Sequence, residues 1–264
     1  MPIPYLPAEL LDQIVDHLHD RPIRLKKCCL VSKSWIPRTR KYLFANIALH
    51  TAERARRWEN DFPDPSTSPA CYTKSLYISS MLIAGASASE GGWLATFSRV
   101  VHLTINDLSG GIPGERTIFL VIFHGFTSTV KSLSIIFSSL PPSSLLNFVY
   151  SFPLLEHLSL TTYTMPTGAP DNSDEVLTVI EPPIQPPFNG CLTLFLMENM
   201  DYFAHQLLST SGGIHFRRLD MVWNHEKDIP LTNALAEGCH TTLESLRILH
   251  QLDGKSTRHP HPNP

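Results

Sequence analysis

The side chains able to do chemistry are plentiful in this sequence, and their spacing decides what they can do. Thirteen histidines and five cysteines would suit a metal site, yet no H-E-x-x-H and no C-x-x-C occurs. His215, His225, Cys239 and His240 come nearest to a convergent set, and solvated loop histidines are the plainer reading. Asp171, Asp174 and Glu175 sit in a proline-rich polar stretch. General acid–base catalysis needs carboxylates held in a shaped, partly dry site, which such a stretch does not supply. The glycine cluster Gly110-Gly111-Ile112-Pro113-Gly114 lacks the lysine that would reach a phosphate. Gly85-Ala86-Ser87-Ala88-Ser89 fails the nucleophile elbow G-x-S-x-G at its last position. The expectation is a chain that is not an enzyme, with no catalytic residue, no cofactor and no metal.

Charge points the same way. Lys+Arg number 21 against 24 Asp+Glu, a net charge of -3. A dedicated nucleic-acid binder is usually strongly basic, so no nucleic-acid partner is expected. One local run departs from the average. Arg24, Lys26, Lys27, Lys33, Arg38, Arg40 and Lys41 follow one another with no Asp or Glu between them. Such a face can contact phosphates, meet an acidic protein partner, or simply be solvated. Glu9, Asp12 and Asp16 just upstream argue against a nucleic-acid footprint over the whole segment. The cysteines are few and odd in number, and two of them, Cys28 and Cys29, are adjacent. That favours a reducing compartment over a disulfide scaffold. The first residues carry no basic and apolar leader pattern. The most apolar stretch, residues 117–126, is well short of the roughly 20 a membrane span needs. A cytoplasmic or nuclear protein with no membrane partner is expected.

The elements that would carry these residues divide the chain. Leu6, Leu10, Leu11, Ile14, Val15 and Leu18 recur at helical spacing, with Pro7 at the start where a missing N–H is harmless. Asp20-Arg21-Pro22 ends that helix, and a second follows with Leu25, Cys28, Cys29 and Val31 apolar. Ser32 or Ser34 caps a third that carries Trp35, Tyr42, Leu43 and Phe44. With Ser34 as cap, Pro37 falls in the first turn; with Ser32, Pro37 should bend the helix. Residues 52–61 are charged and suited to a helix. Residues 62–69 hold three prolines and turn chemistry, and mark a domain boundary.

Beyond them a weak repeat, apolar-x-x-Leu-x-apolar, recurs. Its copies are Val100–Leu103–Ile105, Val130–Leu133–Ile135, Leu155–Leu158–Leu160, Cys191–Leu194–Leu196, Phe216–Leu219–Met221 and Leu243–Leu246–Ile248, with a partial copy at Leu76–Ile78. All but one of the intervals lie in or next to the ~20–29 residues of leucine-rich repeats, each with one short strand. The long interval contains residues 163–190, rich in proline and acid, which read as an inserted surface loop. Helix-like stretches at 116–126, 144–152, 201–210 and 231–237 lie between strands. The polar ladder position of a full repeat is matched by Asn199 and Asn224, with Ser138 and Gln251 as polar substitutes, so the repeat is irregular.

The amino-terminal segment resembles the F-box. The matching residues are Leu6-Pro7-x-Glu9-Leu10-Leu11-x-x-Ile14-x-x-x-Leu18, then Leu25-x-x-Cys28-x-Leu30-Val31-Ser32-Lys33-x-Trp35, then Arg40-x-x-Leu43-Phe44-x-x-Ile47. The whole is similar to fungal F-box proteins with an irregular leucine-rich-repeat-like domain behind the box. The implied fold is α/β: a small three-helix F-box at 1–48, a linker at 49–71, and a leucine-rich-repeat-like solenoid at 72–252. A disordered tail follows at 253–264. The resemblance implies a substrate-recognition subunit of a Skp/cullin/F-box ubiquitin ligase, with ubiquitin transfer done by other subunits. It assigns Leu6, Pro7, Leu10, Ile14, Leu30, Val31 and Trp35 to the contact with the Skp-type adaptor, and through it to cullin. The alternative for these side chains is an internal three-helix core. Independently, so short a helical segment has more large apolar positions than its own core should absorb, so some are expected to stay exposed. An unknown protein target is expected on the strand-lined face or the inserted loop, with Asn106, Asp107, Glu198, Trp223 and Asn224 as candidates. A scaffold without ubiquitin transfer is the other function considered.

Overall fold

A computed structural model describes residues 7–79, 90–108, 123, 125, 127–138, 140, 142–161, 189–195, 200–209, 214–223 and 229–250. Leu6, the ladder residues Asn199, Asn224 and Gln251, most of the helix-like stretch 116–126, nearly all of the inserted loop and the whole tail lie outside them. The fold is mixed α/β, with seven α-helices among the described residues and an eight-stranded parallel sheet whose strands pair in chain order, β1 to β8. Contacts cluster into two units, residues 1–133 with 151–154, and residues 134–150 with 155–264.

In the first unit, α1 spans Ala8–Asp16, α2 Pro22–Val31 and α3 Ile36–Leu43. The Pro7 carbonyl accepts from the Leu10 and Leu11 N–H groups, and Pro22 opens α2 where no N–H is needed. Ser32 caps a 3-10 turn, Lys33–Trp35, by accepting from the Ser34 N–H at 3.3 Å. The chain passes from 3-10 to α at Ile36, which puts Pro37 in the first turn of α3. Ser32 therefore caps the 3-10 turn and neither serine caps α3, whose N-cap is Trp35 with no side-chain bond. Strand β1 (Asn46–Leu49) follows, then α4 (Ala52–Asp61), a 3-10 turn at Pro69–Tyr72 and β2 (Ser75–Ser79). Thr51 caps α4 by accepting from the Arg54 N–H, and Phe44, Trp58 and Phe62 form an aromatic cluster beneath it. A second 3-10 segment, Glu90–Thr96, leads to β3 (His102–Asn106).

The pleat explains the repeat. Leu76 pairs in register with Leu103 and Ile78 with Ile105, and all four are buried. Ser75, Tyr77, His102 and Thr104 alternate with them on the other face. A period of two with one apolar row per strand is what a strand with one buried face requires. Strand β4 is Ser132–Ile135, with Leu133 and Ile135 buried.

The second unit continues with α5 (Pro142–Tyr150), β5 (His157–Leu160), β6 (Cys191–Phe195), α6 (Met200–Leu208), β7 (Arg218–Trp223), α7 (Ile229–Gly238) and β8 (Ser245–His250). Leu158, Leu192, Leu219 and Leu246 share one row, and Leu160, Leu194, Met221 and Ile248 the next. The register corrects one sequence assignment: the β6 partner of Leu158 and Leu219 is Leu192, and Leu194 stands one pleat further along. Helices α5, α6 and α7 contact one another in order.

Candidate docking face

Helix α1 divides its apolar stripe between two jobs. Val15 is buried, as are Leu25 and Cys28 of α2 and Thr39 of α3, and these close the small helical core. Leu10 and Ile14, one turn apart on α1, stay 44% and 41% exposed. Leu30, 87% exposed, and Val31 stand free at the end of α2, and Ile23 at its start. Pro7 is exposed, and Trp35 is half-buried in the turn between α2 and α3. Five large apolar side chains in so short a stretch are more than an unpartnered surface needs to show. The cations Arg24, Lys26, Lys27 and Lys33 are exposed on the same helix and the turn after it.

A polar clamp fixes α1 against α3. Arg38 donates from Nε to Asp16 Oδ1 at 2.8 Å and from Nη2 to Oδ2, and its Nη1 lies 3.5 Å from Asp12 Oδ2. The Tyr42 hydroxyl donates to Asp16 Oδ1 at 2.7 Å. The Arg38 and Tyr42 hydrogen bonds hold the Asp16 carboxyl down at about 2. The same bond raises the Arg38 guanidinium, and the bond to Asp16, followed by burial, raises the Tyr42 phenol. Sequence reasoning placed Arg38 in the basic run and did not place this clamp. The available signal was a pair of i,i+4 rows, Asp12 with Asp16 on one helix and Arg38 with Tyr42 on the other. With its acidic side spent on the clamp, α1 leaves Leu10 and Ile14 on another side.

The target-site candidates lie elsewhere. Asn106 ends β3, half-buried, and Asp107 follows in the left-handed region at φ 64°. Asp tolerates that conformation better than most residues, and the turn is followed by the fully buried Leu108. Trp223 is the last residue of β7. Glu198 and Asn224 lie outside the described residues. The structure therefore gathers the described adaptor candidates on neighbouring helices, and each described target candidate stands at or just past the end of a strand. Ser138, expected as a polar ladder group, is buried and its hydroxyl accepts from the Leu140 N–H at 3.3 Å. Among the described residues no group of three or more His, Cys, Asp or Glu is placed to hold a metal ion, and no helix is long and apolar enough to cross a membrane. All five cysteines are free thiols, with burial pushing Cys191 and Cys239 up. No protein-family model, no curated protein and no solved structure matches this chain.

Proposed function

We propose that the chain is a substrate-recognition subunit of a Skp/cullin/F-box ubiquitin ligase, with α1–α3 as the adaptor-binding module and the repeated strands as an irregular leucine-rich-repeat-like solenoid that holds a protein target. The observation that carries this reading is the exposure of Leu10, Ile14, Leu30 and Val31 beside a helical core that is already closed by Val15, Leu25 and Cys28. A partner that covers such a face gains ~25 cal/mol per Å2 of apolar surface removed from water. The basic side chains on α2 add steering toward an acidic partner surface. The chain-order pairing of eight parallel strands, with a buried apolar row on each strand from β2 to β7, supports the solenoid part of the reading. The contribution to ubiquitin transfer is proximity: a bound target is presented at high effective concentration to a loaded enzyme elsewhere in the complex.

The test is co-purification of the full chain with the adaptor and cullin, coupled to the half-life of whatever protein the chain captures. Residues 46–48 belong to β1, which pairs with β2, so removing 1–48 would cut a strand out of the sheet. Point substitutions at Leu10 and Ile14 avoid that damage. Loss of adaptor and cullin with a lengthened target half-life is the expected result. An unchanged half-life with the adaptor lost would assign the chain to the scaffold class.

A further inference from the structure

The carboxyl-terminal edge of the sheet is left open on the side where the apolar rows of β2 to β7 are buried. Leu246 and Ile248 occupy the core rows of β8, in register with Leu219 and Met221 of β7. Their β7 partners are buried, whereas Leu246 is 43% and Ile248 40% exposed. Leu249 is exposed on the other side of the strand, beside Val222. Strand β8 is last in the sheet order, so its outer edge has no strand neighbour among the described residues. Edge strands are normally guarded by proline, a bulge or several charges. Here the strand itself offers Arg247 alone, and Arg247 lies across from Asp220, whose carboxylate already accepts from Arg218 at 2.9 Å.

We propose that this edge is the contact surface for a second copy of the same chain, β8 running antiparallel to its symmetry mate about a two-fold axis. This inference does not depend on the adaptor reading. Residues 251–264 do not have the composition to cover the edge themselves. Leu252 is their one large apolar residue, and Pro260, Pro262 and Pro264 cannot donate to a ladder. Two copies of the β8 edge can pair with each other, which is the isologous solution. Charge selects the register. An axis at Arg247 would set Arg247 directly opposite its own copy, and like charges directly opposed are destabilising. An axis at Ile248 sets Ile248 opposite Ile248 and Arg247 opposite Leu249, continuing the core row across the axis. Six residues give a ladder only ~20 Å long. That is short of the ~800 Å2 per partner of a standard stable interface, so the dimer is weak and reversible.

Sedimentation velocity on the full chain between about 1 and 100 µM tests this. The expected result is a concentration-dependent shift from monomer to dimer and no further. Ile248→Lys, at a position already exposed, should weaken the dimer at least about tenfold with an unchanged circular dichroism spectrum. Leu249→Glu should tighten it at low salt, because the new carboxylate meets Arg247 of the other copy. A monomer at every concentration, growth beyond a dimer, or dimerisation of Ile248→Lys equal to that of the unsubstituted chain would overturn the proposal. A looser dimer for Leu249→Glu would overturn the pairing.

Discussion

Asp16 accepts hydrogen bonds from both Arg38 and Tyr42, and that single carboxylate joins the first helix to the third. Its pKa of about 2 lies below the ~3.9 of an unfolded aspartate. A depressed folded value means the clamp contributes fully above the unfolded value and is lost as pH falls through about 2. Asp16→Asn should therefore lower the midpoint of thermal unfolding at pH 7 and flatten the acid limb between about pH 4 and 2. Superimposable acid limbs for the two proteins, followed by circular dichroism, would remove the clamp from the account. Gly190 is a second residue whose identity is dictated locally. A Cβ there would stand 2.1 Å from the Glu156 carbonyl oxygen, a backbone atom that also accepts from the Cys191 N–H. Gly190→Ala should cost about 1–3 kcal/mol by forcing β5 and β6 apart. Denaturant unfolding measures it, and a loss within ~0.5 kcal/mol, the range of plain surface substitutions, would contradict the packing described.

The strands were largely legible as elements because two signals coincide in them. The alternation inside each copy of the repeat fixes which face is buried, and the spacing between copies fixes that the connection is long enough to return in parallel. Helices α5, α6 and α7 fall close to the helix-like stretches read between strands. Strand β6 shows where the signal fails. Leu192, Leu194 and Leu196 keep one period of two, so the face is right wherever the motif is laid, and position along the strand is undetermined. Strand β1 was missed because Phe44, Ile47 and Leu49 keep the spacing of the repeat but put isoleucine where the other copies have leucine. The clamp was missed because it joins residues 22 to 26 apart that only the packing of α1 on α3 brings together. The row through Leu219 and Leu246 also yields a comparison. Leu219→Ala, fully buried, should cost about 2–5 kcal/mol. Leu246→Ala, one strand over in the same row, should cost less than half as much in the monomer, because part of its side chain is already in water. Equal losses in dilute solution would mean that the end of the sheet is covered.

Across the whole chain, each unit shows an apolar surface of its own. The first unit presents apolar side chains on α1 and α2, and the second ends in an apolar strand edge. Exposure of that kind was foreseeable in number, since so few residues cannot enclose that many large side chains. Which of them stay outside was not foreseeable: Val15 turned inward while Leu10 and Ile14 did not, because the Asp16 clamp fixes the rotation of α1. Within the basic run the clamp takes Arg38, while Arg24, Lys26, Lys27, Lys33, Arg40 and Lys41 stay exposed. The proposed function rests on the α1–α2 face, so titration calorimetry of the full chain with a purified Skp-type adaptor decides it. The account predicts saturable binding, and for Leu10→Asp combined with Ile14→Asp a loss of at least about 100-fold, near 3 kcal/mol, with circular dichroism unchanged. An unsubstituted chain that fails to bind the adaptor, or a double variant that binds it equally well, would contradict the account.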